Sequence, residues 1–290
     1  MSMKKNQLVL FCCWQLLLFS LEVSKASFST SQHKVMTWLC LEFCNETNYQ
    51  IQSDLQQIER HKNTVTAVSF EKYTLGPNSS LVTHNLTNVI SQIQAMGLET
   101  WPMLSSFPHP PEFIQWMRDV FANPQDFFAQ CIQEAKQHGY TGYSLDWEPT
   151  AGIVPGDGIA YAHFINAFAN SLNTVGVKLS VDVATWSPVW NYSAIADTNA
   201  ESIVSMGTYT SNDISFTHQL DLLVGAFGQR ASMGLETVNA STGQPIPLAE
   251  VQWRLQQAKM RGVTNIALWR SPIPDSWFPL LRKFVIGTGM

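Results

Sequence analysis

Charge is scarce in this 290-residue sequence: Asp, Glu, Lys and Arg together make up 13% of it. Basic residues are the scarcer kind, 17 against 22 acidic ones, and they form few clusters. A nucleic-acid binder needs a concentrated positive face to hold phosphates, so that class of partner is excluded. After residue 26 no apolar run reaches the roughly 18 residues of a membrane-spanning helix. No glycine-rich turn follows the first expected strand, where Thr37-Trp38-Leu39-Cys40 stands. An open sheet built to bind a dinucleotide would show one there. Internal repeats, linkers and low-complexity stretches are also missing, so one domain is expected. No cofactor is expected.

The N-terminus is of another kind. Lys4 and Lys5 precede an apolar run from Leu8 to Leu21, followed by Ser24-Lys25-Ala26. Residues 1–26 read as a secretory signal peptide, and 27–290 as the mature domain. Removing the peptide leaves 14 basic and 21 acidic residues, a net charge of about −7. Five Asn-x-Ser/Thr sequons follow, at Asn45, Asn78, Asn85, Asn191 and Asn239. Behind a signal peptide they point to a glycoprotein of the secretory pathway, secreted or lysosomal, free of the membrane after cleavage. It is expected to be a monomer. Cys12 and Cys13 leave with the peptide, so Cys40, Cys44 and Cys131 remain. Cys40 and Cys44 lie close together just past a strand and are the expected disulfide. A metal site is the weaker alternative, because no His stands at ligand spacing from them.

Hydrophobic patterning gives eight strand–helix units. Strands are expected at 35–39, 64–70, 99–104, 139–149, 177–184, 202–209, 231–238 and 265–269. Helices are expected at 48–60, 83–96, 111–138 (one or two), 159–174, 192–198, 216–230, 248–261 and 274–284. Eight βα units in one domain make an α/β fold of the closed (β/α)8 TIM-barrel type. Active sites of such barrels sit at the C-terminal ends of the strands. Those ends carry Trp38 to Cys44, Glu71, Ser105 and Ser106, Asp146 and Glu148, Trp186, Tyr209, Glu236, and Trp269 with Arg270. Carboxylates, hydroxyls and aromatics converging on one mouth are the profile of a carbohydrate cleft.

The fourth strand carries the sharpest pattern. In Tyr143-Ser144-Leu145-Asp146-Trp147-Glu148-Pro149, the residues Tyr143, Leu145 and Trp147 alternate with Ser144, Asp146 and Glu148. Strand side chains alternate faces, so Asp146 and Glu148 point the same way. Crowded carboxylates raise one another's pKa, which lets one serve as an acid at neutral pH. A bare Asp-x-Glu at a solvated strand end is the plainer alternative.

In these residues the sequence resembles the chitinase-type, family-18 glycoside hydrolases. Their fourth strand reads Asp-Gly-x-Asp-x-Asp-x-Glu. Here the eight positions are Thr141-Gly142-Tyr143-Ser144-Leu145-Asp146-Trp147-Glu148. The glycine, the last aspartate and the glutamate match, while Thr141 and Ser144 replace the first two aspartates. Ser205-Met206-Gly207-Thr208-Tyr209 is similar to the family's Met-x-Tyr with one residue more, and Ala267-Leu268-Trp269 matches its last strand. Ser105-Ser106-Phe107-Pro108 departs from the family's Ser-x-Gly-Gly.

The resemblance implies a retaining, substrate-assisted mechanism on N-acetylglucosamine-containing oligosaccharides or polysaccharides. It makes Glu148 the proton donor, Asp146 the anion that orients the acetamide, and Tyr209 its hydrogen-bonding partner. Trp269 would lie under the sugar. Met206, Trp186, Glu71, Ser144 and Glu236 complete the expected substrate-binding set. The short connection from Val238 to Asn265 leaves no room for an inserted domain, so the groove should be shallow. Two other readings stand beside this one. A two-glutamate retaining glycosidase would use Glu148 and Glu236, although Trp147 stands where that scheme wants Asn. A non-catalytic chitinase-like lectin would keep the aromatics and lose the chemistry.

Overall fold

The computed structural model describes residues 33–41, 43–84, 88–239 and 242–287. The expected signal peptide and the sequon at Asn85 lie outside them. Eight strands close a parallel barrel: β1 (Lys34–Leu39), β2 (Ala67–Leu75), β4 (Glu99–Ser105), β5 (Gly142–Asp146), β6 (Lys178–Val183), β7 (Ser202–Ser205), β8 (Ala231–Glu236) and β9 (Asn265–Trp269). Pairing runs in chain order, and β1 bonds both β2 and β9, which closes the ring. The short β3 (Leu81–Thr83) pairs antiparallel with the far end of β2, outside the barrel.

Nine α-helices are described around the strands: α1 (Asn48–Arg60), α2 (Val89–Ala95), α3 (Phe113–Ala122), α4 (Gln125–His138), α5 (Pro155–Asn173), α6 (Tyr192–Ala196), α7 (Asp213–Phe227), α8 (Leu248–Met260) and α9 (Phe278–Val285). No helix among the described residues is long and apolar enough to cross a membrane.

The barrel is the expected (β/α)8 fold, with local differences. β2 begins at Ala67 and runs on to Leu75, well beyond the expected end at Phe70. The helix expected from Thr83 begins at Val89, because Leu81–Thr83 finds a partner in β2. The strand expected to reach Tyr209 stops at Ser205, where the chain tightens into a 3-10 turn, Met206–Thr208. Thr208 ties that turn down: its hydroxyl lies 2.7 Å from the carbonyls of both Ser205 and Gly234.

Alternation along β5 builds two cores. Tyr143, Leu145 and Trp147 point outward into the layer between barrel and helices. Trp147 alone meets Phe113, Phe121, Phe127, Tyr161 and Phe164 at centroid distances of 5.1 to 6.5 Å. Many of the abundant aromatics are therefore barrel-to-helix packing. Inside the ring a smaller cluster of Met36, Trp38, Ala67, Trp101, Met103, Val204 and Ala267 fills the barrel. Gly142 is needed there, since a Cβ at that position would overlap the Trp101 ring.

Candidate active site

The C-terminal mouth of the barrel holds a recess of about 560 Å³. It is lined by Trp38 of β1, Asp146 of β5 with Glu148 just beyond, Asp182 of β6 and Trp186 after it. Met206 and Tyr209 after β7, Glu236 of β8 and Trp269 of β9 complete the wall. Of the sequence-derived candidates, Asp146, Glu148, Tyr209, Trp269, Met206, Trp186 and Glu236 thus come together in one place.

Backbone pairing fixes the two acids of β5. Ser105 pairs with Asp146, and the next amide, Ser106 N–H, donates to the Asp146 carbonyl at 3.1 Å. The Ser106 hydroxyl accepts from Glu148 N–H at 3.0 Å, so the end of β5 is laced to the loop after β4. The same hydroxyl lies 3.1 Å from His109 Nδ1. His109 takes a left-handed backbone, φ 59°, after the cis Phe107–Pro108 bond. Burial raises the Glu148 carboxyl, and His109 beside it pulls it back down.

Tyr209 is seated by β8. Its amide donates to Met206 O at 2.9 Å, closing the 3-10 turn. Gly234 makes room for it: an added Cβ would lie 2.8 Å from the tyrosine ring and would overlap the Ser205 carbonyl. On the opposite wall, Trp38 and Trp269 meet edge to face, with centroids 5.9 Å apart and planes at 64°. Ser271 N–H donates to Trp38 O at 2.9 Å, and Thr237 N–H donates to Trp269 O at 2.7 Å. The aromatic wall is therefore held from the backbone. The Trp269–Arg270 peptide is cis. Trp186 stands at the rim, 61% exposed and edge-on to Trp190.

The recess is acidic, and no Lys or Arg is among its lining residues. Burial pushes the Asp146 carboxyl well above the ordinary range, and the Glu148 and Asp182 charges push it further. Burial likewise raises Asp182, opposed by a hydrogen bond from Ser144 and reinforced by Glu148. Glu236 is raised by burial, with Arg254 acting against it. Burial and then Asp182, Asp146, Glu236 and Glu148 keep the half-buried Tyr209 protonated. A cluster of neutral and ionised carboxyls in one low-dielectric site can deliver a proton to a bound oxygen and stabilise a developing cation.

Two expected ligands of substrate do not line the recess. Glu71 was placed at a strand end, but β2 continues past it, with a bulge between Glu71 and Tyr73. Its carboxylate turns under the loop after β1, accepting from Leu41 N–H at 2.8 Å and Phe43 N–H at 3.1 Å. Only 3% exposed, it holds that loop, and burial raises its pKa to about 7. Ser144 is fully buried beneath the acids, its hydroxyl donating to Asp182 Oδ2 at 3.0 Å.

Three residues of the site were not singled out from sequence. In the sequence Trp38 is only part of a strand end, and His109 belongs to no motif. Asp182 lies inside the strand expected at 177–184, where Lys178, Ser180 and Asp182 alternate with Leu179, Val181 and Val183.

The expected disulfide joins Cys40 and Cys44, with Cα atoms 5.7 Å apart, and Cys131 is a buried free thiol. Cys40, Cys44 and Glu71 bring three potential metal-ligand atoms within 4.8 Å. The disulfide removes both thiolates, the forms that bind metal, so these residues do not fit a metal centre while it is closed.

No protein-family model matches the chain, and no curated protein is recognisably similar in sequence. Solved structures are similar in fold. The spore cortex-lytic enzyme SleL of Bacillus megaterium superposes with a TM-score of 0.73 at 14% identity, over 87% of this chain and 73% of that one. A chitinase from Chromobacterium violaceum gives 0.71 at 13% identity, over 89% of this chain and all of its own. Catalytic domain 2 of the Ostrinia furnacalis Group II chitinase gives 0.69 at 11% identity, over 89% and 97% of the two chains. A mutant of that domain has been solved with penta-N-acetylchitooctaose. At these identities the likeness is one of fold: the chain has the single (β/α)8 barrel of the chitinases and cortex-lytic enzymes, in keeping with the divergent family-18 pattern on its fourth barrel strand.

Proposed function

We propose that this protein is a glycoside hydrolase of the secretory pathway, secreted or lysosomal. Its substrate would be a β-linked glycan containing N-acetylglucosamine, chitin or an N-glycan core, cleaved by a retaining, substrate-assisted mechanism. The observation that carries the reading is the convergence of Asp146, Glu148 and Tyr209 with the Trp38–Trp269 wall in one acidic recess. The fold shared with chitinases supports it.

In this reading the sugar packs against Trp269, whose ring face attracts the C–H edges of a pyranose. Glu148 gives its proton to the glycosidic oxygen as the bond to the anomeric carbon breaks. The acetamide carbonyl oxygen of the same sugar forms the new bond to that carbon, and positive charge spreads to its nitrogen. Asp146, ionised, lies against that nitrogen, and the Tyr209 hydroxyl holds the acetamide in the attacking pose. Water then opens the oxazolinium ring, with the Glu148 carboxylate taking its proton, and the configuration is retained. The acid must be protonated while its neighbour is an anion, which a buried, crowded pair of carboxyls allows.

The test is release of chromophore from an N-acetylglucosaminide oligomer, with Glu148→Gln as control. Glutamine keeps shape and hydrogen bonding but holds no transferable proton. It should lose roughly 10² to 10⁴ in rate, the usual worth of general acid catalysis, with ligand binding intact. A folded wild type that binds the oligomer and releases nothing would make it a lectin.

A further inference from the structure

The pattern that the sequence resembles has an aspartate where Ser144 stands, two residues before Asp146. The barrel supplies a carboxylate from the neighbouring strand. Pairing of β5 with β6 matches Ser144 to Ser180 and Leu145 to Val181. Carried one residue further, that register puts Asp182 level with Asp146. Adjacent strands lie about 4.8 Å apart, so the two acids, both lining the recess, are neighbours across the ladder. Asp182 is 2% exposed, and its Oδ2 accepts the Ser144 hydroxyl at 3.0 Å. Among the described residues its buried Oδ1 has no partner, and neither has the buried Oδ1 of Asp146. Two buried carboxylate oxygens without donors are costly, and one proton held between them would satisfy both.

We propose that Asp182 is the positioning residue of Asp146: it shares one proton with Asp146 in the resting site and keeps that proton when Asp146 turns to the acetamide. The motif's missing aspartate has thus moved one strand over, and Ser144 is the hydroxyl that holds it in place. The inference rests on the substrate-assisted reading. When Asp146 rotates toward substrate, the O–H bond stays with Asp182 and Asp146 leaves as the anion. No net charge is created in the recess at that step, and the anion arrives where the acetamide nitrogen becomes cationic. The groups that face this pair are Glu148 on the same strand end, Tyr209 after β7, Glu236 of β8 and Tyr161 of α5. Opposing effects act at a remove, His109 on Glu148 and Arg254 on Glu236.

Three variants decide it: Asp182→Asn, Asp146→Asn, and the double exchange Ser144→Asp with Asp182→Ser, which returns the carboxylate to β5. Asp182→Asn keeps an acceptor for the Ser144 hydroxyl, so folding, followed by thermal melting, should survive. Its kcat should fall at least about tenfold with KM little changed, because the lost function is in the reacting state. The alkaline limb of its pH–rate profile should move to higher pH, since the pair's one negative charge then sits wholly on Asp146, beside Glu148, instead of being shared with Asp182. The double exchange should recover much of the loss. A wild type that hydrolyses, with Asp182→Asn unchanged in kcat and pH profile, would overturn the proposal.

Infrared titration of the free protein with isotope-labelled aspartate needs no turnover. It should show a protonated Asp carboxyl persisting to about pH 7 in the wild type and lost in both Asp182→Asn and Asp146→Asn. Absence of that band, or its survival in Asp146→Asn, would overturn proton sharing whether or not any glycan is cleaved. An inactive wild type that keeps the band would sink the hydrolase reading and leave the shared proton standing.

Discussion

At the scale of the residue, Glu148 and Asp146 are distinguished by what surrounds them. Glu148 has His109 near it to temper its pKa, whereas the charges that act on Asp146 among the described residues are acids, Glu148 and Asp182. Asp146→Asn leaves the pair's negative charge on Asp182, on the next strand, and none on the residue beside Glu148, so Glu148 should lose its proton at lower pH. Sign follows from charge: with the repulsion gone, the ionised form is less disfavoured. The alkaline limb of the pH–rate profile, where the acid is lost, should therefore shift down, together with a drop in rate. Tyr209→Phe should lower kcat more than it raises KM, because its hydrogen bond counts most once the acetamide attacks. Steady-state kinetics over pH 3 to 9 would check both.

At the scale of the element, the site depends on close packing between strand ends. Gly234 of β8 is where Tyr209 and the Ser205 carbonyl crowd the backbone. Gly234→Ala should push the tyrosine ring out of register, cutting turnover while costing about 1 to 3 kcal/mol of stability from overpacking. Paired activity and unfolding measurements would show it. Glu71, by contrast, serves the loop after β1. Glu71→Ala would leave the Leu41 and Phe43 amides unpaired and destabilise by about 1 to 3 kcal/mol, with the chemistry of the recess retained.

These elements also show what could be read from sequence. The eight-strand alternation and the β5 pattern were legible because period-2 alternation is a local property of the chain. The end of β2 was not, because residues 71–75 are held as strand by β4 and β3 across the sheet. Nor was the early end of β7, which depends on Thr208 bonding a carbonyl of β8. Asp182 was legible in principle, as the polar member of an alternating strand. Its meaning came only from the neighbouring strand, through the Ser144 hydroxyl.

At the scale of the whole molecule, the barrel buries acids that must ionise as pH rises. Burial raises Asp54 to about 6 and Glu71 to about 7, and raises Asp146 and Asp182 as well. Unfolded, each would titrate near 4. Between those values the folded state holds more protons than the unfolded chain, so stability falls as pH rises from about 4 to 8. Asp157 and Asp221 work the other way, their pKa values lowered by Arg118 and Arg261, and their contribution is lost below pH 4. Maximal stability is therefore expected in mildly acidic solution, as an acidic compartment would suit. A melting temperature higher at pH 5 than at pH 8 is the expected result; the reverse order would mean the buried acids ionise freely.

The central claim is that Asp146, beside Glu148, carries the chemistry with the substrate's own acetamide, and that Glu236 is not a nucleophile. Both Asp146 and Glu236 line the same recess, so geometry alone gives each the chance. The direct test is the rate of hydrolysis of a chromogenic N-acetylglucosaminide oligomer by Asp146→Asn and Glu236→Gln, measured side by side with the wild type. The account predicts a loss of about 10² or more for Asp146→Asn and a far smaller one for Glu236→Gln. Abolished turnover in Glu236→Gln, with Asp146→Asn near wild type, would contradict it and make the protein a two-glutamate glycosidase.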